Sequence, residues 1–259
     1  MINRKQALYN LTESDDKNFM SLMCDKADKA ILTDRKMYSR FLSPRERYLV
    51  EERISGDVNT DFFGGFPEAE RTVVCFSSPT CYETDFDYGI DALKIFTKNK
   101  AVFSHRDYLG SVLGLGIKRE LLGDIIIFDT YALVFCHREI TDYILYNLEK
   151  IGRANVMVEI AQSGSLNIPE KKFREKSLTV TSMRLDCVVS AAINKSRTVT
   201  SSFIEKGLVS VNYEEAASQT MKINDGDIIS VKGFGKMIVM SDGALTKKGR
   251  YHINIKEYI

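Results

Sequence analysis

The sequence predicts an α+β fold built from an N-terminal helical region, a split βαβ sheet domain and a small C-terminal domain. Its length of 259 residues fits two or three domains of ordinary size. Apolar residues follow a helical period before Phe66, and a strand-like run begins after Arg71. Small polar residues and a proline interrupt the pattern again at 162–170, which indicates a linker. The predicted domains are 1–66, 67–165 and 177–245.

Composition places the chain among ordinary globular proteins. Apolar residues make up 44% of the chain and charged residues 27%, which argues against disorder or low complexity. No stretch approaches 18 uncharged apolar residues, and residues 1–11 carry Arg4 and Lys5 instead of the apolar run of a signal peptide. We therefore expect a cytoplasmic protein and predict neither membrane insertion nor secretion.

Cysteine and histidine spacing gives no sign of a disulfide framework or a metal site. The cysteines are odd in number and never spaced as C-x-x-C, and the three histidines lie far apart. We therefore predict that the protein needs no cofactor, and that its cysteines are small buried apolar residues: Cys24, Cys75, Cys81, Cys136 and Cys187.

Helix signals dominate the N-terminal region. Apolar residues recur at helical offsets over 14–32, which predicts a first helix. A second helix should begin at Ser43, which can act as the N-cap, with Pro44 at the first helical position and Glu46 completing a capping box. It should run to about Ile54. The glycines and the proline within 61–67 then end the helical pattern.

The middle domain is predicted from an alternation of periods. The segments are a strand at 72–76, helices at 87–99 and 105–115, strands at 124–128 and 131–136, a helix at 139–151 and a strand at 155–160. Without one extra helix, this order is the split βαβ pattern, in which an antiparallel sheet carries two helices on one face. The topology is RRM-like, but 131–136 lacks the Gly-aromatic-Gly-Phe signature with which such sheets stack bases. Stacking on Tyr131 or Phe135 and simple core packing both remain open.

The C-terminal domain is predicted to be two small helices backed by a β-meander. Apolar residues mark one face of a helix over 185–193. Ser196 is placed to cap a second helix, which ends at Gly207. Short strands are predicted at 209–212, 227–232 and 237–240.

A set of spaced residues in this domain matches a known RNA-binding module. The residues are Arg184-Leu185-Asp186, Ser196-Arg197, Ile204, Gly207, Val209-x-Val211-Asn212 and Gly226-Asp227-x-Ile229. In order and spacing they resemble the S4 domain, which is named after a ribosomal protein. The sequence departs from the pattern at Tyr213, where many S4 domains have a glycine that lets the hairpin turn.

Motifs in the first two domains extend the resemblance. They are Phe63-Gly64-Gly65-Phe66-Pro67-Glu68-Ala69-Glu70-Arg71, His105-Arg106-Asp107-Tyr108-Leu109-Gly110, Gly114-Leu115-Gly116-Ile117-Lys118-Arg119-Glu120 and Gly123-Asp124-Ile125. With a C-terminal S4 domain, these motifs look like the bacterial YlmH family. The resemblance implies a non-catalytic RNA-binding factor of the large ribosomal subunit. It also implies a link to quality control of stalled subunits holding peptidyl-tRNA, and an association with cell division.

The C-terminal third is the basic end of the chain. From Lys171 to Ile259 there are 15 basic and 9 acidic residues, a net charge of +6, which leaves −5 for residues 1–170. A basic surface beside a helical hairpin suits a phosphate backbone, although a solvated basic face without RNA is the alternative. Including Asn212 from the S4 resemblance, the predicted RNA-binding residues are Arg184, Lys195, Ser196, Arg197, Thr198, Lys206 and Asn212.

The middle domain offers a second possible RNA contact. The glycines at 114–116 follow a helix pattern, so they indicate a tight turn and not a dinucleotide fingerprint. That turn would bring Arg106, Lys118 and Arg119 near one another. A structural salt-bridge cluster of these residues with Asp107, Glu120 and Asp124 is equally open.

Two other classes of function stay open at this point. An RNA-modifying enzyme would have its site around His105, Asp107 and Arg119, and a division scaffold would expose an apolar groove on the N-terminal helices. Asp186 lies in a motif similar to one that pseudouridine synthases use for chemistry, but no large catalytic domain follows it here. We predict instead that Asp186 orients a neighbouring arginine. The expected partners are ribosomal RNA, tRNA and the large ribosomal subunit, with the protein itself a monomer.

Overall fold

Helices and antiparallel sheets alternate along the computed structural model of the chain, which confirms the α+β class. The structure describes residues 1–11, 13–54, 56, 58–82, 85–97, 103–161, 166, 168–169, 173–241, 243–246 and 249–258. These residues fall into two compact units, Met1–Ile168 and Pro169–Ile259. Within the described ranges, no helix has the length and apolar character needed to cross a membrane.

The N-terminal part of the first unit combines helices with a small sheet. Its elements are α1 (Arg4–Ala7), α2 (Ser14–Thr33), β1 (Met37–Tyr38), α3 (Pro44–Arg53), β2 (Asn59–Phe63) and β3 (Val73–Ser77). The predicted capping box is present, because Ser43 Oγ accepts from Glu46 N at 3.3 Å and the Glu46 carboxylate accepts from Ser43 N at 2.6 Å. The prediction that this region is helical throughout is wrong, because β1, β3 and β2 form an antiparallel sheet in that order. The strand predicted at 72–76 therefore belongs here and not to the middle sheet.

The rest of this unit has the predicted split βαβ order. Its elements are β4 (Ile90–Thr97), α4 (His105–Leu113), β5 (Leu122–Ile127), β6 (Tyr131–His137), α5 (Thr141–Asn147), β7 (Lys150–Ile151) and β8 (Ala154–Ile160). The strands form an antiparallel sheet in the order β5-β6-β4-β8-β7. β4 and β6 are therefore the central strands, as in RRM-like sheets.

The helix predicted at 87–99 is wrong, because Ile90–Thr97 is a strand. β4 pairs with β6 on one side and with β8 on the other. Both of its faces are covered at least in part: Leu93 and Ile95 face α4 and α5, and Ala92 faces the N-terminal region. A strand buried on both faces loses the alternation of apolar and polar residues, and its apolar pattern then fits a helix as well.

The N-terminal region covers part of the sheet face opposite the helices. Phe135 of β6 is 1% exposed and its ring centroid lies 4.9 Å from that of Phe66. Phe41 is buried in the same cluster. Most of the predicted 162–170 linker lies outside the described residues, but Leu166 and Ile168 pack against this cluster. This packing makes residues 1–168 a single unit.

The C-terminal unit is a helical hairpin on a six-stranded antiparallel sheet. Its elements are β9 (Phe173–Val180), α6 (Leu185–Ala192), α7 (Arg197–Glu205), β10 (Val209–Val211), β11 (Glu214–Glu215), β12 (Ile228–Val231), β13 (Gly235–Met240) and β14 (Tyr251–Tyr258). The sheet order is β11-β10-β12-β13-β14-β9. The two helices and the three predicted strands are present, whereas β9, β11 and β14 were not predicted.

The hairpin between β10 and β11 turns through Asn212 and Tyr213. Both residues have positive φ, 49° and 67°, as a two-residue type I′ turn requires. Asn212 Nδ2 donates to Asp227 Oδ1 at 2.8 Å, and Asn212 Oδ1 accepts from Ile228 N at 2.9 Å. The hairpin therefore closes without the glycine found in many S4 domains, and the Asn212 side chain helps to hold it.

Candidate RNA interface

Asp186 organises the surface of the helical hairpin. It lies in the first turn of α6 and is 5% exposed. Its carboxylate accepts from Arg184 Nε at 3.1 Å and Nη2 at 3.2 Å, and from Arg197 Nη2 at 3.1 Å. The two arginine side chains stay 44% and 56% exposed. One buried carboxylate thus fixes two guanidinium groups at the surface.

Asp186 is suited to orient these arginines and unsuited to act as an acid. Burial alone would raise the pKa of its carboxyl group, but the hydrogen bonds from Arg184 and the charges of Arg197 and Arg184 outweigh burial and lower it. The carboxylate also accepts from Cys187 N at 3.0 Å. It is therefore ionised at neutral pH, and the predicted ion pair with a neighbouring arginine is confirmed.

Four of the predicted residues surround the start of α7. Ser196 is the N-cap, and its Oγ accepts from Val199 N at 3.3 Å. Lys195, Arg197 and Thr198 are exposed beside it. The N-terminus of a helix attracts anions through its backbone N–H groups, and the first turn here contains basic and uncharged residues. We call Arg184, Lys195, Ser196, Arg197 and Thr198 the hairpin patch.

The structure places the other two predicted residues away from this patch. Lys206 is exposed at the C-cap of α7, at the opposite end of the helix from Ser196. Asn212 is half-buried in the β10–β11 turn, where its amide group bonds to Asp227 and Ile228. The residues predicted to form one RNA-binding surface therefore lie in separate parts of the unit.

Lys222 is a basic residue that the sequence reasoning missed. A β-bridge pairs its backbone with that of Arg184, and its side chain is exposed. Leu185 N also donates to Met221 O at 2.8 Å, which holds the two segments together. The contact joins distant parts of the chain, so spacing within the helical hairpin could not have indicated it. Lys222 adds a further cation beside the hairpin patch.

α4 separates Arg106 from the other two residues of the predicted second RNA contact. Arg106 is exposed in the first turn of this helix, whereas Lys118 is exposed beyond its last turn. Arg119 is half-buried and its Nη1 donates to the carbonyl oxygens of Leu122 at 2.7 Å and Gly123 at 3.2 Å. Arg119 therefore supports the start of β5.

A second arginine shares this structural role. Arg71 donates from Nε to Leu122 O at 3.0 Å and from Nη2 to Phe41 O at 3.1 Å. Burial and, secondly, the charge of Arg71 lower the pKa of Arg119 to about 10. Asp124 accepts from the backbone N–H groups of Glu70 at 2.6 Å and Arg71 at 3.2 Å. These contacts are made with backbone groups and not within the predicted salt-bridge cluster, and they favour a structural role over an RNA contact for Arg119.

The residues of the alternative enzyme site have other positions and partners. His105 and Asp107 are exposed in the first turn of α4. Asp107 accepts from Ser104 N at 2.8 Å and from Ser104 Oγ at 2.7 Å, and these hydrogen bonds lower the pKa of its carboxyl group. Asp107 is therefore a helix-capping residue. Among the described residues, no three His, Cys, Asp or Glu side chains are grouped so as to hold a metal ion.

Of the two residues considered for base stacking, Tyr131 and Phe135, the structure excludes Phe135. Phe135 is buried under Phe66, so no base can reach its ring. Tyr131 is partly exposed at the other end of β6. Its ring lies near those of Phe128 and Phe96 and near the ammonium group of Lys94.

Comparisons with known proteins agree with the motifs. Residues 83–164, which contain β4 to β8, match a family model described as "Putative RNA-binding domain in YlmH". The Bacillus subtilis (strain 168) "Ribosome-associated protein quality control protein P2" is 28% identical over 225 residues, covering 86% of this chain and 87% of that protein. A solved structure, the cell division protein YlmH from Streptococcus pneumoniae, is 22% identical with a TM-score of 0.48, covering 60% of this chain and 95% of that chain. The family model and the B. subtilis relative confirm the predicted resemblance to the YlmH family.

Proposed function

We propose that this protein is a non-catalytic RNA-binding factor that contacts ribosomal RNA and tRNA on the large ribosomal subunit, in the quality control of stalled subunits. The matched family model and the B. subtilis relative support a ribosome-linked, RNA-binding role. The observation that carries the proposal is the Asp186 carboxylate, which holds Arg184 and Arg197 at the surface. The finer assignment to the large subunit and to tRNA rests on the family resemblance.

The arrangement of the hairpin patch supports binding of structured RNA. Structured RNA is recognised largely through its shape and phosphate groups, so fixed guanidinium groups give contacts of defined geometry. The Asp186 ion pairs restrict the rotamers of Arg184 and Arg197 before RNA arrives, which reduces the entropy lost on binding. The two helices and the strands behind them agree with the predicted S4 module. We therefore assign RNA binding in the C-terminal unit to this patch.

A non-catalytic role is supported by the surroundings of the alternative residues. Asp107 caps α4, and Arg119 bonds to backbone carbonyl groups. Asp186 is buried, and its carboxylate is ion-paired with Arg184 and Arg197. Each of these groups has a structural task that accounts for its position.

The proposal is tested by replacing Arg197 with Ala and measuring binding to purified large ribosomal subunits across a range of salt concentrations. Each phosphate contact contributes roughly −0.9 to the slope of log affinity against log salt on a duplex. We expect Arg197→Ala to weaken binding and to make this slope shallower by roughly 0.9, the value for one phosphate contact. Arg35→Ala, an exposed arginine of the N-terminal unit, is the control for net charge. Equal affinity and slope in a folded Arg197→Ala protein would contradict the proposal.

A further inference from the structure

Part of the middle sheet remains accessible on the face that the N-terminal region covers elsewhere. Cross-strand partners share a face, so Phe96 and Tyr131 lie side by side on β4 and β6, as do Lys94 and Leu133. Ala92 and Phe135, further along the same strands, are buried under the N-terminal region. Leu133 is buried as well, so the covering thins only toward Phe96 and Tyr131, which are partly exposed.

Three partly exposed aromatic rings and one cation gather on this half of the face, where Phe128 and Tyr131 border the buried cluster. The rings of Phe128 and Tyr131 are stacked at 4.6 Å with 17° between their planes, and the ring of Phe96 lies 5.6 Å from that of Tyr131. Lys94 Nζ lies 5.6 Å from the centre of the Tyr131 ring. Met157 of β8 pairs with Phe96 and is 54% exposed, so the apolar surface extends onto a third strand.

We propose that Phe96, Phe128, Tyr131 and Lys94 form a stacking site for unpaired RNA nucleotides. This inference rests on the proposed RNA-binding function and adds a second site to it, on the other structural unit. Unstacked bases gain free energy by lying against exposed aromatic rings, and RRM-like sheets present such rings on their two central strands. Phe96 and Tyr131 lie on these strands without the usual sequence signature. The surface also lies within the segment that matches the RNA-binding family model.

The charges around this surface separate it from the hairpin patch. Lys94 is partly exposed on this half of the face, and the carboxylate residue paired with it across the strands is Glu159. One cation beside one anion gives little net attraction for a phosphate backbone. Stacking must therefore supply most of the affinity, with Lys94 contributing one phosphate contact. This site should depend on the bases and weakly on salt, whereas the hairpin patch should depend strongly on salt.

The test uses the full-length protein and a fluorescently labelled single-stranded RNA of ten nucleotides. We expect Tyr131→Leu and Phe96→Leu each to weaken binding by roughly 5- to 100-fold, because stacking on one ring contributes that much. Their salt slopes should match that of the unchanged protein. Lys94→Gln should instead make the slope shallower by about 0.7, the value for one contact on a single strand. Tyr146→Leu is the control, since Tyr146 is 83% exposed on α5, which packs on the other face of the sheet.

An abasic oligonucleotide of the same length gives the second arm. It keeps the phosphates and removes the bases, so Tyr131→Leu should not change its affinity. Equal losses on both oligonucleotides, or no loss on either in folded variants, would overturn the stacking site and leave this face to a protein partner. The outcome is separable from the proposed function, because subunit binding that depends on Arg197 would persist if the stacking site alone were wrong. Phe96→Leu, measured on both oligonucleotides, keeps the test decisive if Tyr131→Leu fails to fold.

Discussion

Tyr213 has a left-handed backbone conformation that glycine adopts without cost. Its φ of 67° puts a bulky side chain in a region where most L-residues are strained. Its ring also lies 5.5 Å from Lys236 Nζ, a contact that any small residue would lose. The strain is therefore best measured by comparing two variants that both lack the ring.

We predict that Tyr213→Gly is more stable than Tyr213→Ala by about 1 kcal/mol, since Ala keeps the backbone strain and Gly removes it. At an ordinary position outside the left-handed region the order is reversed, because glycine has the more flexible unfolded state. Urea unfolding of both variants gives the difference in free energy. A more stable Ala variant would show that the turn does not hold residue 213 at positive φ.

Asp186 should make the C-terminal unit sensitive to acid. Its pKa is lower in the folded protein than in the unfolded chain, so its contribution to stability is complete above the unfolded value near pH 4 and is lost as the pH falls further. We predict that Asp186→Asn lowers the free energy of unfolding by about 1 to 3 kcal/mol at pH 7. The difference from the unchanged protein should shrink below about pH 4, where Asp186 becomes neutral. Urea unfolding at pH 7 and pH 3 tests this, and an equal difference at both would refute it.

At the residue scale, local motifs predicted the centre of the candidate site but not its limits. The sequence predicted that Asp186 orients a neighbouring arginine, and the structure shows ion pairs with two, Arg184 and Arg197. Lys222 is brought in by a pairing between distant segments, which no local pattern records. Asn212 was predicted to bind RNA from its position in the motif. In the structure its side chain bonds to Asp227 and Ile228 and helps to hold the hairpin.

At the element scale, the glycine pair 64–65 lets the N-terminal region approach the middle sheet. A Cβ atom on Gly65 would lie 2.4 Å from Phe135 Cδ1, and Gly65 has a φ of 98°. A Cβ atom on Gly64 would lie 2.3 Å from the carbonyl oxygen of Arg71. Both glycines are therefore required by the close approach of other groups.

We predict that Gly65→Ala lowers the free energy of unfolding by about 2 to 4 kcal/mol, through overpacking against Phe135 and backbone strain. Gly110→Ala is the matched control, because Gly110 lies in α4 with open space around its Cα, and alanine should stabilise this helix by about 0.5 to 1 kcal/mol. Thermal unfolding of the full chain measures both changes. Similar effects of the two substitutions would mean that the 64–65 segment can move away from the sheet.

The elements that the sequence failed to predict have two physical causes. In β4, apolar residues are buried on both faces, Leu93 on one and Ala92 on the other, so strand alternation is lost. β9 and β14 carry many charged residues, which gave β9 the character of a basic linker. In the structure these charges pair across the strands, Lys176 with Glu257 and Lys256 with Glu175. A charged strand is recognisable once its partner is known, and here the partner lies at the far end of the unit.

At the scale of the whole molecule, the C-terminal unit should fold alone. A fragment of residues 171–259 keeps all six strands of its sheet, whereas one of residues 177–245, the predicted domain, loses β14 and half of β9. We predict cooperative urea unfolding for 171–259, with RNA affinity weaker than that of the full chain because the stacking site is absent. The 177–245 fragment should show little or no cooperative transition. Equal stability of the two fragments would show that β9 and β14 are dispensable.

The pairing of β9 with β14 also determines when this unit can form during protein synthesis. The two strands pair along eight residues, with Phe173 opposite Tyr258. β9 therefore leaves the ribosome first and stays without its neighbour until Tyr251–Tyr258 has also been translated. Contacts between such distant segments close a long loop and form slowly. The nascent chain can complete its first unit early, while the sheet behind the hairpin patch is finished only after β14 has emerged.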